Sequence, residues 1–202
     1  LDQNRRIKEI LMSANSKQQI IEAAGIIFER YGFKKTTMDD IAFAAGKGKS
    51  SLYYYFKNKE EVFEAVVAHE AKQLVAEINK AIDTSHSAVD KLRSYVNIRM
   101  KRFVQRGNLA TALNDNFLAT FAFIEKIQNN YRDFEIEMIT GIINEGIKRK
   151  EFKPVDANFT SEAILTCMIG FEVPLLTKSK TSEESITKIN NVIDMFFYGI
   201  CT

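Results

Sequence analysis

The chain is expected to be all-α, with nine or ten helices, and three observations carry that expectation. Apolar residues recur at helical spacing along most of its length, and capping residues stand before the periodic stretches. Breakers are scarce, with two prolines and nine glycines in 202 residues. Hydrophobic residues make up 46% and charged residues 27%, the balance of a globular protein long enough to bury a sizeable core.

Residues 1–15 set Arg5, Arg6 and Lys8 among Ile7, Ile10, Leu11 and Met12 and read as a weakly ordered basic segment. From Ser16 a helix is clear: Ile20, Ala24, Ile27, Phe28 and Tyr31 share one face, and Gly32 stands where a left-handed C-cap is wanted. Thr37-Met38-Asp39-Asp40 has the form of a capping box, an acceptor oxygen with an acid three residues on. It opens a short helix through Ile41 and Ala44 that Gly46 ends. A second short helix runs from about Lys49 through Leu52 to Tyr54 or Tyr55. Asn58-Lys59-Glu60-Glu61 caps a long helix through Val62, Phe63, Val66 and Leu74 to about Ile82.

Further on, Ser87-Ala88-Val89-Asp90 caps a helix carrying Leu92, Tyr95, Val96 and Phe103, which Gly107 and Asn108 break. Residues 109–128 are helical with weaker boundaries. Tyr131 to Lys150 forms another helix, with Phe134, Met138, Ile142 and Ile147 and a basic last turn that suits the helix dipole. Pro154 forbids its continuation. Asp156 caps a helix holding Phe159, Ala163, Cys167, Gly170 and Phe171, which Pro174 is expected to kink or shorten. Thr181-Ser182-Glu183-Glu184 caps the last helix, whose stripe is Ile186, Ile189, Ile193, Phe196, Phe197 and Ile200.

The net charge of +2 conceals a division. Residues 1–59 hold 11 Lys+Arg against 6 Asp+Glu, whereas residues 60–202 hold 17 against 20. A basic front on an acidic body suits a front that meets a polyanion. The natural seam falls near Asn58, inside continuous helix, so the expected units are residues 1–15, a head at 16–59 and a body at 60–202. Cys167 and Cys201 lack metal-ligand spacing and read as buried free thiols in a reducing cytoplasm. No signal peptide or membrane-spanning apolar run is read.

Two short helices with a glycine between them at residues 37–55 match a helix-turn-helix, whose second helix enters the DNA major groove. The residue types fit. Lys47 and Lys49 supply charge for phosphates or guanine edges, and Ser50 and Ser51 hydrogen-bond either. Tyr53, Tyr54 and Tyr55 cannot all be buried on so short a helix, so at least one hydroxyl faces out.

Thr37 to Ala42, Ala45-Gly46, Ser51-Leu52-Tyr53-Tyr54-Tyr55-Phe56 and Asn58-Lys59-Glu60-Glu61 together resemble the signature of the tetracycline-repressor (TetR) family, from about Lys17 to about Phe63. The resemblance implies that Thr37 touches phosphate, with Thr36 a weaker candidate. It implies that Lys49, Ser50, Ser51 and Tyr54 face the groove, and that Tyr53, Tyr55 and Lys59 grip the backbone. It places Leu52 and Phe56 in the core. Two positions depart from the pattern: Lys47 replaces a small apolar residue and becomes a candidate phosphate contact, and Gly48 replaces a frequent Ser, weakening the local cap.

The resemblance also implies a homodimer that binds a near-palindromic duplex operator and leaves it on binding a small effector in the body. The aromatic body suggests that the effector is largely hydrophobic. Candidate pocket residues are Asn97, Arg99, Phe103, Phe121, Tyr131 and Phe134. Candidate dimer residues, on the last two helices, are Ala163, Cys167, Gly170, Phe171, Ile189, Val192, Ile193 and Phe196. An architectural DNA binder without effector, and a regulator whose ligand tightens DNA binding, fit the same head. An enzyme is not expected: His69-Glu70 lacks the second His of a zinc-protease helix, and no nucleophile motif, phosphate-cradling loop, metal set or cofactor site is read.

Overall fold

The computed structural model describes the backbone of residues 2–104, 107, 108, 111 and 122–178 and of 187, 191, 194, 195 and 197–199, with most of their side chains from residue 15 onward. Among these residues there is no strand, and seven helices are delimited, fewer than the nine or ten expected. They are α1 (Asp2–Lys35), α2 (Met38–Ala44), α3 (Lys49–Tyr55), α4 (Lys59–Thr84), α5 (Ala88–Val104), α6 (Ala122–Lys148) and α7 (Ala157–Lys178). The last described residues are helical as well.

The expected caps close these helices. Thr37 and Asp40 form the full capping box of α2, and the Asn58 side chain accepts from the Glu61 N–H at 2.8 Å to start α4. Ser87 accepts from the Asp90 N–H at 3.0 Å, and Asp156 from the Phe159 N–H at 3.0 Å. Each satisfies an N–H that has no partner within its own helix.

Apolar packing joins head and body. α1 packs on α2 and α4, α4 on α5, α5 on α6 and α7, and α6 on α7. The buried apolar residues form one cluster running from Ile20 through Phe63, Tyr95 and Ile143 to Phe197. In the head, Phe28, Phe33 and Phe63 meet with ring centroids 5.0–5.9 Å apart. The last segment is tied to α5 by Arg93, which lies 2.9 Å from Asp194 and over the Phe197 ring.

Several elements differ from expectation. The backbone is helical from Asp2, so residues 2–15 continue into α1. Tyr31 is 49% exposed; the aromatic at that end of the core is Phe33, which the chain swings inward after Gly32. α6 starts at Ala122, well before Tyr131, and α7 runs through Pro174 to Lys178. A proline removes one helical N–H, and that loss has not ended this helix. Cys167 is exposed, because α7 turns Ile164, Leu165 and Met168 to the core and the thiol away from it; Cys201 lies outside the described residues.

Candidate nucleic-acid interface

Three devices build the head around α3. Gly32, at φ 77 and ψ 158, ends the regular part of α1 in a conformation open only to glycine. The freed carbonyls are then satisfied from nearby. Thr36 donates its hydroxyl to Gly32 O at 2.9 Å, and Lys59 donates its ammonium to Phe33 O at 2.8 Å and Thr36 O at 2.9 Å while lying over the Phe33 ring. At the end of α2, Gly46 (φ 62) makes a Schellman turn: its N–H donates to Phe43 O at 3.1 Å, and that of Lys47 to Ala42 O at 3.0 Å. Gly48 is the N-cap of α3 and offers no side-chain bond, the weakness expected of glycine there.

With Leu52 fully buried and Phe56 nearly so, helical geometry turns the opposite face of α3 outward. Lys49, Ser50, Tyr53 and Tyr54 are exposed, Tyr54 by 78%. Ser51 and Tyr55 are half-buried, and the Tyr55 ring meets that of Tyr54 edge-on at 4.9 Å. The tyrosine triplet thus divides into one residue toward solvent, one at the rim and one packed on the core. Lys47, in the turn, is half-buried.

Two sequence candidates are corrected. Thr36 is 2% exposed with its hydroxyl spent on Gly32 O, so it cannot meet a phosphate. The Lys59 ammonium is held by two carbonyls at the end of α1, which makes it a strut between α1 and α4 in this structure, where a backbone grip was expected. Thr37 is exposed, but its hydroxyl donates to Asp40 at 2.6 Å within the cap. That bond, with the one from the Thr37 N–H, holds the Asp40 carboxyl below the ordinary carboxylate range.

Two residues at this surface escaped the sequence reading. Asp39 holds the Lys49 ammonium at 2.9 and 3.1 Å, and its hydrogen bond and charge raise the lysine pKa above its ordinary value. Phe43 is 89% exposed. The second was visible in principle: Ile41, Ala42 and Ala45 define the buried side of α2 and leave Phe43 opposite. The first was not, because the partners are ten residues apart on different helices.

The body candidates are not brought together as a set. Tyr131 is buried and Phe134 half-buried on α6. Arg99 is buried but committed: its Nε donates to Glu135 at 2.5 Å, and the Tyr95 hydroxyl donates to the same carboxylate at 2.7 Å. Burial, then the Glu135 charge, push the Tyr95 hydroxyl well above the usual tyrosine range, so it remains a proton donor. Asn97 lies two residues from both Tyr95 and Arg99, on the opposite face of α5, and is exposed; helical spacing removes it from that interior. The side chains of Phe103 and Phe121 lie outside the described residues. On α7, Ala163 is half-buried, while Cys167 and Gly170 are exposed beside Phe159 and Ile169. The Phe171 side chain and Ile189, Val192, Ile193 and Phe196 lie outside the described residues.

An exposed polar and aromatic helix face, presented by a capped helix–turn–helix and backed by helical packing, defines a helix-turn-helix DNA-binding protein. Residues 20–66 match the family model described as bacterial regulatory proteins, tetR family. The crystal structure of a transcriptional regulator from Cytophaga hutchinsonii is 32% identical, with a TM-score of 0.80, over 92% of this chain and 98% of that one. The HTH-type transcriptional repressor KstR2 of Mycolicibacterium smegmatis is 29% identical over 148 residues, 70% of this chain and 69% of its own. The fold is shared by FadR from Bacillus subtilis, solved in complex with stearoyl-CoA, at 21% identity and a TM-score of 0.69, over 89% of this chain and 96% of that one. The chain belongs to the tetR family of bacterial regulatory proteins, and it is a transcriptional regulator and not an enzyme. No helix among the described residues is long and apolar enough to cross a membrane.

Proposed function

We propose that the chain is a homodimeric repressor that leaves a near-palindromic operator when a small, largely hydrophobic effector enters its body. The observation that carries the reading is the outward face of α3, with Lys49, Ser50 and Tyr54 exposed on a helix whose other side is sealed by Leu52. On this reading Lys49, Ser50, Ser51 and Tyr54 enter the groove, while Lys47, Tyr53, Tyr55 and Thr37 approach the phosphates. The head spans residues 16–59 and the body residues 60–202.

The dimer reading is supported by α7, which turns Phe159, Cys167, Ile169 and Gly170 to solvent. A two-fold dimer demands half-sites about 34–36 Å apart or a multiple of that. Effector action is supported by the shared core and by α4, a single helix that leaves the head and packs on α5. An effector acts through its difference in affinity between the DNA-competent and DNA-incompetent states. The first class to test is a long-chain acyl-CoA, the ligand named for the FadR structure.

Fluorescence anisotropy tests the reading, with a duplex from upstream of the protein's own gene against a scrambled duplex, over a salt series. The expected result is binding roughly 10³-fold tighter to the former, falling steeply with salt, and release on titrating stearoyl-CoA. Absence of binding to either duplex at low salt overturns DNA reading. Tightening on adding the acyl-CoA overturns the release mechanism.

A further inference from the structure

We propose that Asp39 and Lys49 act as one unit that reads a G·C base pair in each operator half-site. The inference rests on the DNA-reading role of α3 given above and names what part of that surface recognises.

The pair bridges the two helices of the motif. The Lys49 ammonium lies 2.9 Å from Asp39 Oδ1 and 3.1 Å from Oδ2, and both side chains are more than half exposed. The bond is no structural necessity for α2, whose cap is made by Thr37 and Asp40. An exposed ion pair adds little to stability. At a surface that must approach a polyanion, however, a carboxylate repels phosphates and offsets a lysine that would otherwise attract them. An acid in this position therefore weakens binding to any DNA in proportion to its charge, unless it makes a contact of its own.

The major groove offers such a contact. Guanine O6 accepts and the cytosine N4 amine donates, and these two atoms are each other's Watson–Crick partners, so they lie about 2.9 Å apart. The donor and acceptor that the protein presents are spaced alike. Lys49 carries three protons, and the two Asp39 oxygens engage at most two of them; a remaining proton reaches guanine O6 or N7. Asp39 retains lone pairs to accept the outward proton of cytosine N4. The ion pair stays closed while it reads.

The neighbouring alternatives fit worse. A T·A pair also sets an acceptor beside a donor, but beside thymine O4 stands a methyl group, where guanine presents a second acceptor, N7. A C·G pair reverses the order of donor and acceptor.

Selection from a randomised duplex library, followed by anisotropy on the selected site with each base pair replaced in turn, tests the inference. The intact protein is compared with Asp39→Ala, the near-isosteric Asp39→Asn, and Lys49→Gln. The intact protein is expected to select a motif with a G·C pair at one position of each half-site. Asp39→Ala is expected to lose about tenfold of the discrimination at that position and to keep the rest of the motif. It is also expected to bind scrambled duplex more tightly, with a salt slope steeper by about one as Lys49 turns to phosphate. Unchanged preference at every position in both Asp39 variants overturns the inference and leaves DNA reading by α3 intact. Failure of the intact protein to select any motif overturns that reading, and this inference with it.

Discussion

Gly32 shows how much of the head depends on one backbone conformation. At φ 77 and ψ 158 it kinks α1 near its end, and Phe33 beyond it packs with Phe28 and Phe63. Space is not the constraint, since an added Cβ meets nothing within 4 Å; the constraint is the backbone itself. Gly32→Ala is expected to lower stability by about 1–3 kcal/mol in urea unfolding. An unchanged midpoint contradicts this account. The same turn explains two misread residues. Thr36 and Lys59 are of types that grip phosphate, and nothing in their sequence neighbourhood tells a phosphate from a carbonyl. Lys59 finds Phe33 O 26 residues back, a distance that only folding closes.

Helix ends were legible where a capping side chain or a glycine marks them, as Gly32 and Gly46 do, and obscure where neither does. Thr37, Asn58, Ser87 and Asp156 all cap as their types require. The end of α6 is different. It closes in a Schellman turn with Lys150, and not a glycine, in the left-handed conformation at φ 61; the Glu151 N–H donates to Gly146 O at 2.8 Å. Gly146 is needed inside the helix for a separate reason: a Cβ there would lie 2.2 Å from the buried Phe152 ring. Gly146→Ala is expected to cost about 1–3 kcal/mol through overpacking. Thermal unfolding reads the loss, and binding of the purified folded protein to operator DNA is expected to be unaltered. A Tm equal to or above that of the parent protein contradicts the close approach.

Head and body meet through polar contacts as well as through the shared core. Asn108 is 3% exposed and donates its side-chain amide to Gly25 O on α1 at 2.9 Å and to Glu70 on α4 at 2.7 Å. One residue of the body thereby pins two helices together at the root of the head. Asn108→Ala leaves those oxygens without the amide and is expected to cost about 1–3 kcal/mol. Asn108→Asp is expected to cost more at pH 7 than at pH 5, because an ionised carboxylate would face both Gly25 O and the Glu70 carboxylate. Denaturant curves at the two pH values test this, and equal stability of Asn108→Asp at both contradicts the contact.

The all-helical class, the two short helices of the head and the inward face of α3 were readable along the chain. Periodicity, caps and breakers are local properties, and the family resemblance added Leu52 and Phe56 as core positions, which the structure buries. The outward candidates were found by type alone, and type does not name a partner. Folding spent Lys59 and Thr36 on carbonyls, gave Asp39 to Lys49, matched Arg99 with Glu135 and turned Asn97 to solvent. The bonds of Lys59, Asp39 and Arg99 depend on which charged or polar group arrives within about 3 Å from another element, where the bond length sets the reach. Thr36, by contrast, finds Gly32 O four residues back. Helical pattern is written within a few residues, whereas the pairing of polar groups is settled by packing between elements far apart in the chain.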